Sequence, residues 1–97
     1  GEQQMLAIAR ILHARMELIL LDEPTEGLAP LLVRAIGSII SEIKESGLTV
    51  LLIEQNTRFA SRVADRHHIL YGGGIVYNDT NEAFCSAHDV QKRYLGV

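Results

Sequence analysis

Two short aliphatic runs constrain the fold of this chain more than any other feature of its sequence. Residues 18–21 read LILL and residues 49–53 read TVLLI, and a carboxylate follows each run. Apolar runs of this length are too short for helices and are typical of strands buried on both faces. Pro30 and Gly47 mark the ends of a predicted helix between them, over residues 30–46. Strands that alternate with helices predict an α/β fold with a mainly parallel sheet.

Further elements follow from periodicity and from capping residues. Apolar residues at three- and four-residue steps predict an amphipathic helix over residues 2–14. Asn56 or Thr57 is placed to cap a short helix that ends near residue 64. The run HHILY at 67–71 predicts a third strand, with His67 and His68 as residues at its entry and not as metal ligands.

The C-terminal third predicts a hairpin followed by two short helices. Three glycines at 72–74 turn the chain back into a strand at 75–77. Asp79, with Glu82 three residues later, predicts a capping box for the first helix, and Asp89 is the expected cap of the second. No repeat or linker is visible, so we expect one unit. Its short length indicates part of a larger domain, with a small but complete α/β domain as the alternative.

Composition excludes several classes of protein. A net charge of −3 and a pI near 5.7 do not indicate a nucleic-acid-binding surface. The sequence contains no uncharged apolar run of the roughly 18 residues that a membrane-spanning helix needs. The single cysteine, Cys85, cannot form an internal disulfide, and we expect the protein to lie in a reducing cytoplasm. We expect the small side chain of Cys85 to be buried.

Asp22 and Glu23 end the first predicted strand side by side. Ligands collect at the carboxyl ends of strands in an open parallel sheet. A hard cation such as Mg²⁺ takes oxygen ligands, so one of these carboxylates can hold the cation. The other can orient or deprotonate a water that attacks a phosphoryl group. The alternative is an exposed Asp-Glu turn after a core strand, with no chemistry of its own.

Three motifs in order along the chain resemble the ATP-binding subunits of ABC transporters. LILLDEPTEGLAP (18–30) is similar to their Walker B motif and D-loop, and GEQQMLAIAR (1–10) to the tail of their signature motif. TVLLIEQN (49–56) is similar to the strand that leads to their switch residue. The EGLAP and IEQN segments, the YGGGIV hairpin and the KRYLGV ending resemble the branched-chain amino-acid importers. The resemblance implies a partial P-loop NTPase domain in a transport ATPase.

The resemblance also implies roles for single residues. Asp22 would bind Mg²⁺, and Glu23 would be the general base. Gly1 would be the last signature glycine, with its amide facing the γ-phosphate of ATP, and Glu2 takes a place where many members have Gln. Gln55 occupies the place of the usual switch histidine, and it cannot become a cation near neutral pH.

The sequence departs from the family pattern in two further ways. Residues 26–29 would form the loop that crosses the dimer interface, and Ala29 stands there in place of a common Asp. The 97 residues contain no G-x-x-x-x-G-K-[ST] phosphate loop. We therefore expect residues 1–97 to be the C-terminal portion of one nucleotide-binding domain, inactive when isolated.

The resemblance implies ATP and Mg²⁺ as cofactors, and a second nucleotide-binding subunit and transmembrane permease subunits as partners. It implies a cytoplasmic location at the inner face of the membrane. Without the rest of the domain, we expect the apolar face of helix 2–14 and the open strand edges to cause self-association.

Two other functions remain open from the sequence. One is an ABC-like ATPase of DNA repair or translation, which usually carries coiled-coil insertions or basic extensions that are not seen here. The other is a non-catalytic α/β module that binds Mg²⁺. Glu54 is interpreted only as the outward end of a strand.

Overall fold

The structure is a computed structural model that describes residues 3, 6, 10 and 17–97. Gln3, Leu6 and Arg10 are helical, and the rest of the predicted helix 2–14 lies outside the described residues. The chain divides into two units, a first unit that ends at Val63 and a second unit that spans Ala64–Val97. Each unit carries its own two-stranded sheet.

The first unit alternates strands and helices as the sequence predicts. Its elements within residues 17–63 are β1 (Leu18–Asp22), α1 (Pro30–Glu45), β2 (Thr49–Ile53) and α2 (Thr57–Val63). Pro30 lies in the first turn of α1, and Gly47 ends the helix region with φ +94°, a left-handed value that favours glycine.

Asn56 caps α2, as expected. Its Oδ1 accepts a hydrogen bond of 3.1 Å from the amide of Phe59. The helix ends at Val63, one residue earlier than predicted.

Strands β1 and β2 are parallel neighbours, in a register that runs from Leu18 opposite Thr49 to Asp22 opposite Ile53. One face of this pair packs against both helices. The buried core of the unit combines Ile19 and Leu21 with residues of α1 and α2: Ile36, Ile40, Ile43, Phe59 and Val63.

The prediction that these strands are buried on both faces is wrong. Leu18 and Leu20 are 54% and 61% exposed, and Leu51 and Ile53 are each 48% exposed. Side chains alternate between the faces of a strand, and α1 and α2 both pack on the face that carries Ile19 and Leu21. The opposite face therefore remains accessible.

The second unit contains an antiparallel hairpin and two short helices. Its elements are β3 (Arg66–Tyr71), β4 (Gly74–Thr80), α3 (Asn81–Ser86) and α4 (His88–Leu95). The predicted hairpin is confirmed, with Gly72 and Gly73 at φ +60° and +82°, as a tight two-residue turn requires. The third strand is thus an antiparallel partner of the fourth, and β1 and β2 are the parallel strands among the residues that the structure describes.

Both predicted helix caps in this unit are wrong. Strand β4 continues to Thr80, whose side chain accepts a 3.2 Å hydrogen bond from the amide of Ala83. The chain leaves the strand one residue after Asp79, so Thr80 and not Asp79 caps α3. Helix α4 starts at His88, which places Asp89 inside its first turn.

Phe84 and Ile69 are buried in the second unit, at 3% and 5% exposure. The Phe84 ring stacks on His67 with centroids 4.2 Å apart, and His67 Nε2 lies 2.6 Å from Asn81 Oδ1. Cys85 is exposed, contrary to expectation, because Phe84 takes the inward position of the short helix α3. None of the described helices combines the length and the hydrophobicity that crossing a bilayer requires.

Candidate functional site

The paired carboxylates lie at the edge of the sheet where the two parallel strands end. Asp22 is opposite Ile53 in the register, and the amide of Glu23 donates a 2.7 Å hydrogen bond to the carbonyl of Ile53. Asp22 is exposed and Glu23 is half-buried. Since Glu54 directly follows Ile53, the parallel pairing places all three carboxylates at the same sheet edge.

Glu23 has an unusual backbone conformation, with φ at +46°. A residue that carries a Cβ rarely adopts this left-handed region, and such strain is concentrated at functional sites. Two hydrogen bonds hold the bend. The Glu23 amide bonds to Ile53, and the Glu23 carbonyl accepts from the amide of Glu26 at 3.2 Å. The bend turns the chain sharply at the point where the two carboxylates occur.

The negative charges around Glu23 raise the pKa of its carboxyl group above the usual value. The charge of Glu26 and a hydrogen bond with it are the largest causes, followed by burial and then by the charges of Asp22 and Glu54. A carboxyl group with a raised pKa accepts a proton more readily near neutral pH, which suits a general base. The same concentration of charge favours a bound cation.

Thr25 and Glu54 form a contact that the sequence analysis missed. Thr25 is buried at 6% exposure, and its hydroxyl donates a 2.8 Å hydrogen bond to Glu54 Oε2. The other carboxylate oxygen of Glu54 accepts from the amides of Gln55 and Asn56, at 3.2 and 3.3 Å. Glu54 therefore links the loop after β1 to the segment after β2.

A sequence signal for Glu54 was available. Like Asp22, it stands at the end of a predicted parallel strand, where ligand sites form. The expectation that Glu54 is only an outward strand end does not account for its contact with Thr25. Thr25 offered no such signal, because its partner lies 29 residues away in the chain.

The predicted site residues divide into two groups. Asp22, Glu23 and Gln55 lie at the carboxyl ends of β1 and β2, and Gln55 is exposed there. Gly1 and Glu2 lie outside the described residues. The structure thus places Asp22, Glu23 and Gln55 at one sheet edge.

The carboxylate oxygens at this edge of the sheet are suitable ligands for Mg²⁺. Among the described residues, no three His, Cys, Asp or Glu side chains form a metal-ligand group. Mg²⁺ is usually bound by one or two carboxylates together with substrate phosphates and waters, and not by a cage of protein ligands. The exposed carboxylate of Asp22, beside the half-buried Glu23, is the available ligand of this kind.

Comparison with known proteins identifies the family. No protein-family model matches the chain. The high-affinity branched-chain amino acid transport ATP-binding protein BraG of Pseudomonas aeruginosa is 47% identical over 96 residues, which cover 99% of this chain. The chain belongs to the ABC transporter ATP-binding proteins. The predicted resemblance is confirmed.

Other comparisons within the ABC family agree on the fold. The lipopolysaccharide export system ATP-binding protein LptB of Haemophilus influenzae is 38% identical over 99% of the chain. The crystal structure of a nucleotide-free ATP-binding cassette from an ABC transporter superposes with a TM-score of 0.85 at 24% identity, over 98% of this chain and 38% of that one. The predicted fold class, an ABC ATPase domain of mixed α/β type, is confirmed.

The chain spans only part of these ABC proteins. It covers 41% of BraG and 40% of LptB.

Proposed function

We propose that this chain is the C-terminal portion of an ATP-hydrolysing subunit of an ABC importer for branched-chain amino acids. One observation carries the proposal. The parallel register of β1 and β2 brings Asp22, Glu23 and Gln55 to one edge of the sheet, where the backbone is bent and negative charge is concentrated. These are the positions at which the family resemblance implies Mg²⁺ binding, a general base and a switch residue.

Each residue has a defined part in the proposed mechanism. Asp22 would hold Mg²⁺, and the ion would neutralise charge on the phosphates of bound ATP. Glu23 accepts a hydrogen bond from the attacking water and takes its proton, helped by its raised pKa. Gln55 contributes hydrogen bonds but no positive charge. The family resemblance implies that Gly1 and Glu2 would contribute to the binding of ATP by the opposite subunit.

The solute is inferred from the relatives. BraG, named for branched-chain amino acid transport, shares 47% identity with the chain, and LptB, named for lipopolysaccharide export, shares 38%. The higher identity, together with the EGLAP and IEQN segments, favours import of branched-chain amino acids.

The proposal includes partners and a location. Since the chain spans about two fifths of BraG and has no phosphate loop, it requires the remainder of the nucleotide-binding domain to hold ATP. A second nucleotide-binding subunit would complete the site, and permease subunits would hold the pair at the cytoplasmic face of the membrane.

The decisive experiment is Mg²⁺-dependent ATP hydrolysis by the protein that the complete reading frame encodes. We expect Glu23→Gln to reduce the rate by about 10²- to 10⁴-fold, the usual contribution of a general base, while ATP binding persists. Glu42→Gln on the exposed side of α1 is the matched control and should keep the activity. An active wild type with an equally active Glu23→Gln variant would disprove the role of Glu23.

A non-catalytic Mg²⁺-binding module is the second candidate, because the exposed carboxylate of Asp22 beside Glu23 suits this cation by itself. A complete reading frame without a phosphate loop, and Mg²⁺ binding that Asp22→Asn abolishes, would establish this candidate and overturn the ATPase.

A further inference from the structure

A groove between α1 and α2 lies in the first unit, and none of the carboxylates of the proposed ATP site lines it. It encloses about 310 Å³ and is open to solvent on one side. Its lining residues belong to α1 and α2, and none of them has a role in the proposed hydrolysis of ATP. The groove therefore requires an explanation of its own.

The rim of the groove is positively charged. Arg34 from α1 and Arg62 from α2 are exposed, and neither guanidinium is paired with a carboxylate among the residues that the structure describes. The described lining contains no acidic side chain, although the chain as a whole carries −3. Guanidinium groups bind carboxylates through two parallel hydrogen bonds. The two arginines thus favour an anionic ligand at the groove, although the net negative charge of the chain as a whole disfavours one.

The floor of the groove is apolar and contains a helix-interior glycine. Phe59 and Val63 form the floor below Gly37. A Cβ at Gly37 would lie 3.5 Å from Phe59 Cε1 and 3.8 Å from Val63 Cγ1, which is ordinary contact distance. Packing therefore does not require glycine, which weakens a helix relative to alanine. The effect of Gly37 is to keep the floor open.

We infer that the groove binds an acidic segment of a partner protein, with one aliphatic side chain over Gly37 and carboxylates on Arg34 and Arg62. Small-molecule pockets enclose most of their ligand, which a groove open to solvent does not do. An apolar floor with a polar, charged rim is instead typical of peptide recognition. The inference does not depend on the proposed ATPase activity.

The test uses a blocked, alanine-based helical peptide that carries one leucine, with a glutamate one turn before it and one turn after it. Its binding to the isotope-labelled protein that the complete reading frame encodes is followed by NMR chemical shifts. We expect shifts confined to residues 33–41 and 59–63. The double variant Arg34→Glu/Arg62→Glu should bind the peptide at least about tenfold more weakly, because it loses charge-assisted hydrogen bonds.

Two controls make the test specific. Arg58→Glu changes an exposed arginine one turn from Arg62 that does not line the groove, and it should bind the peptide as the wild type does. Gly37→Leu fills the floor and should abolish binding with both arginines intact, whereas Gly37→Ala should not. The inference is overturned by equal binding of a peptide with lysine in place of glutamate, by equal weakening in Arg58→Glu, or by the absence of shifts in the groove.

Discussion

The two units of the chain are stabilised by different kinds of contact. In the first unit, Ile36, Ile40 and Ile43 of α1 are at most 1% exposed and pack on one face of the parallel strands. In the described second unit, Ile69 and Phe84 are the buried apolar residues, and Phe84 stacks on His67. The first unit therefore relies on a distributed, mainly aliphatic core, and the second on a single buried aromatic ring and its neighbours.

This difference explains where the candidate site occurs. The left-handed backbone at Glu23 and the repulsion among the carboxylates both cost free energy. Such costs are tolerated where rigid, well-packed elements hold the chain on either side. The site follows β1 and β2, whose inner faces pack on the isoleucines of α1.

The largest expected effect on stability comes from removing the Phe84 ring, around which the second unit packs. Phe84→Ala should destabilise this unit by about 3–5 kcal/mol, the usual cost of deleting a buried phenylalanine side chain. Amide hydrogen exchange should accelerate in β3 and β4 and remain slow in β2. Phe84→Leu, which keeps most of the apolar volume, should have a smaller effect. Equal acceleration in β2 would show that the two units unfold together.

A matched truncation probes the core of the first unit. Ile40→Ala should lower the free energy of unfolding by about 2–5 kcal/mol, and Ile40→Val by about 0.5–1.5 kcal/mol, because the cavity scales with the atoms removed. Urea unfolding followed by circular dichroism gives both values. If the alanine variant lost no more than the valine variant, α1 would not pack on the strands as described.

The contact between Thr25 and Glu54 should have a smaller but specific effect. Thr25→Val removes the hydroxyl and leaves Glu54 Oε2 without this donor, at an expected cost of about 1–3 kcal/mol. Thr25→Ser keeps the donor and should retain most of the stability. Thermal unfolding compares the two variants, and a serine variant as unstable as the valine variant would assign the effect to the lost methyl group.

The pH dependence of stability tests the charge repulsion at Glu23, which we expect to be the smallest effect. The pKa of Glu23 is raised in the folded chain, so its contribution to stability is complete in acid and is lost as the pH rises through that pKa. Glu23→Gln should therefore raise the melting temperature at neutral pH and leave it unchanged in acid. If Glu23→Gln melted at a lower temperature than the wild type at neutral pH, the proposed charge repulsion at Glu23 would be contradicted.

Much of the first unit could be predicted from local sequence. The bounds of β1, α1 and β2 agree with the structure to within one residue, because Pro30 and Gly47 fix the ends of α1 and the aliphatic runs fix the strands. The caps of the second unit could not be predicted in this way. Asp79 and Thr80 are both good capping residues, and the length of β4, set by its pairing with β3, selects Thr80.

The sequence by itself determined the family, the order of the elements and the positions of Asp22, Glu23 and Gln55 after their strands. These features depend on motifs and on spacing along the chain. The tertiary structure decided which strand face is buried, and it paired Thr25 with Glu54 across 29 residues. It also opened the groove between α1 and α2. The reason is that each of these depends on which helix packs on which face, and local residue patterns do not specify long-range packing.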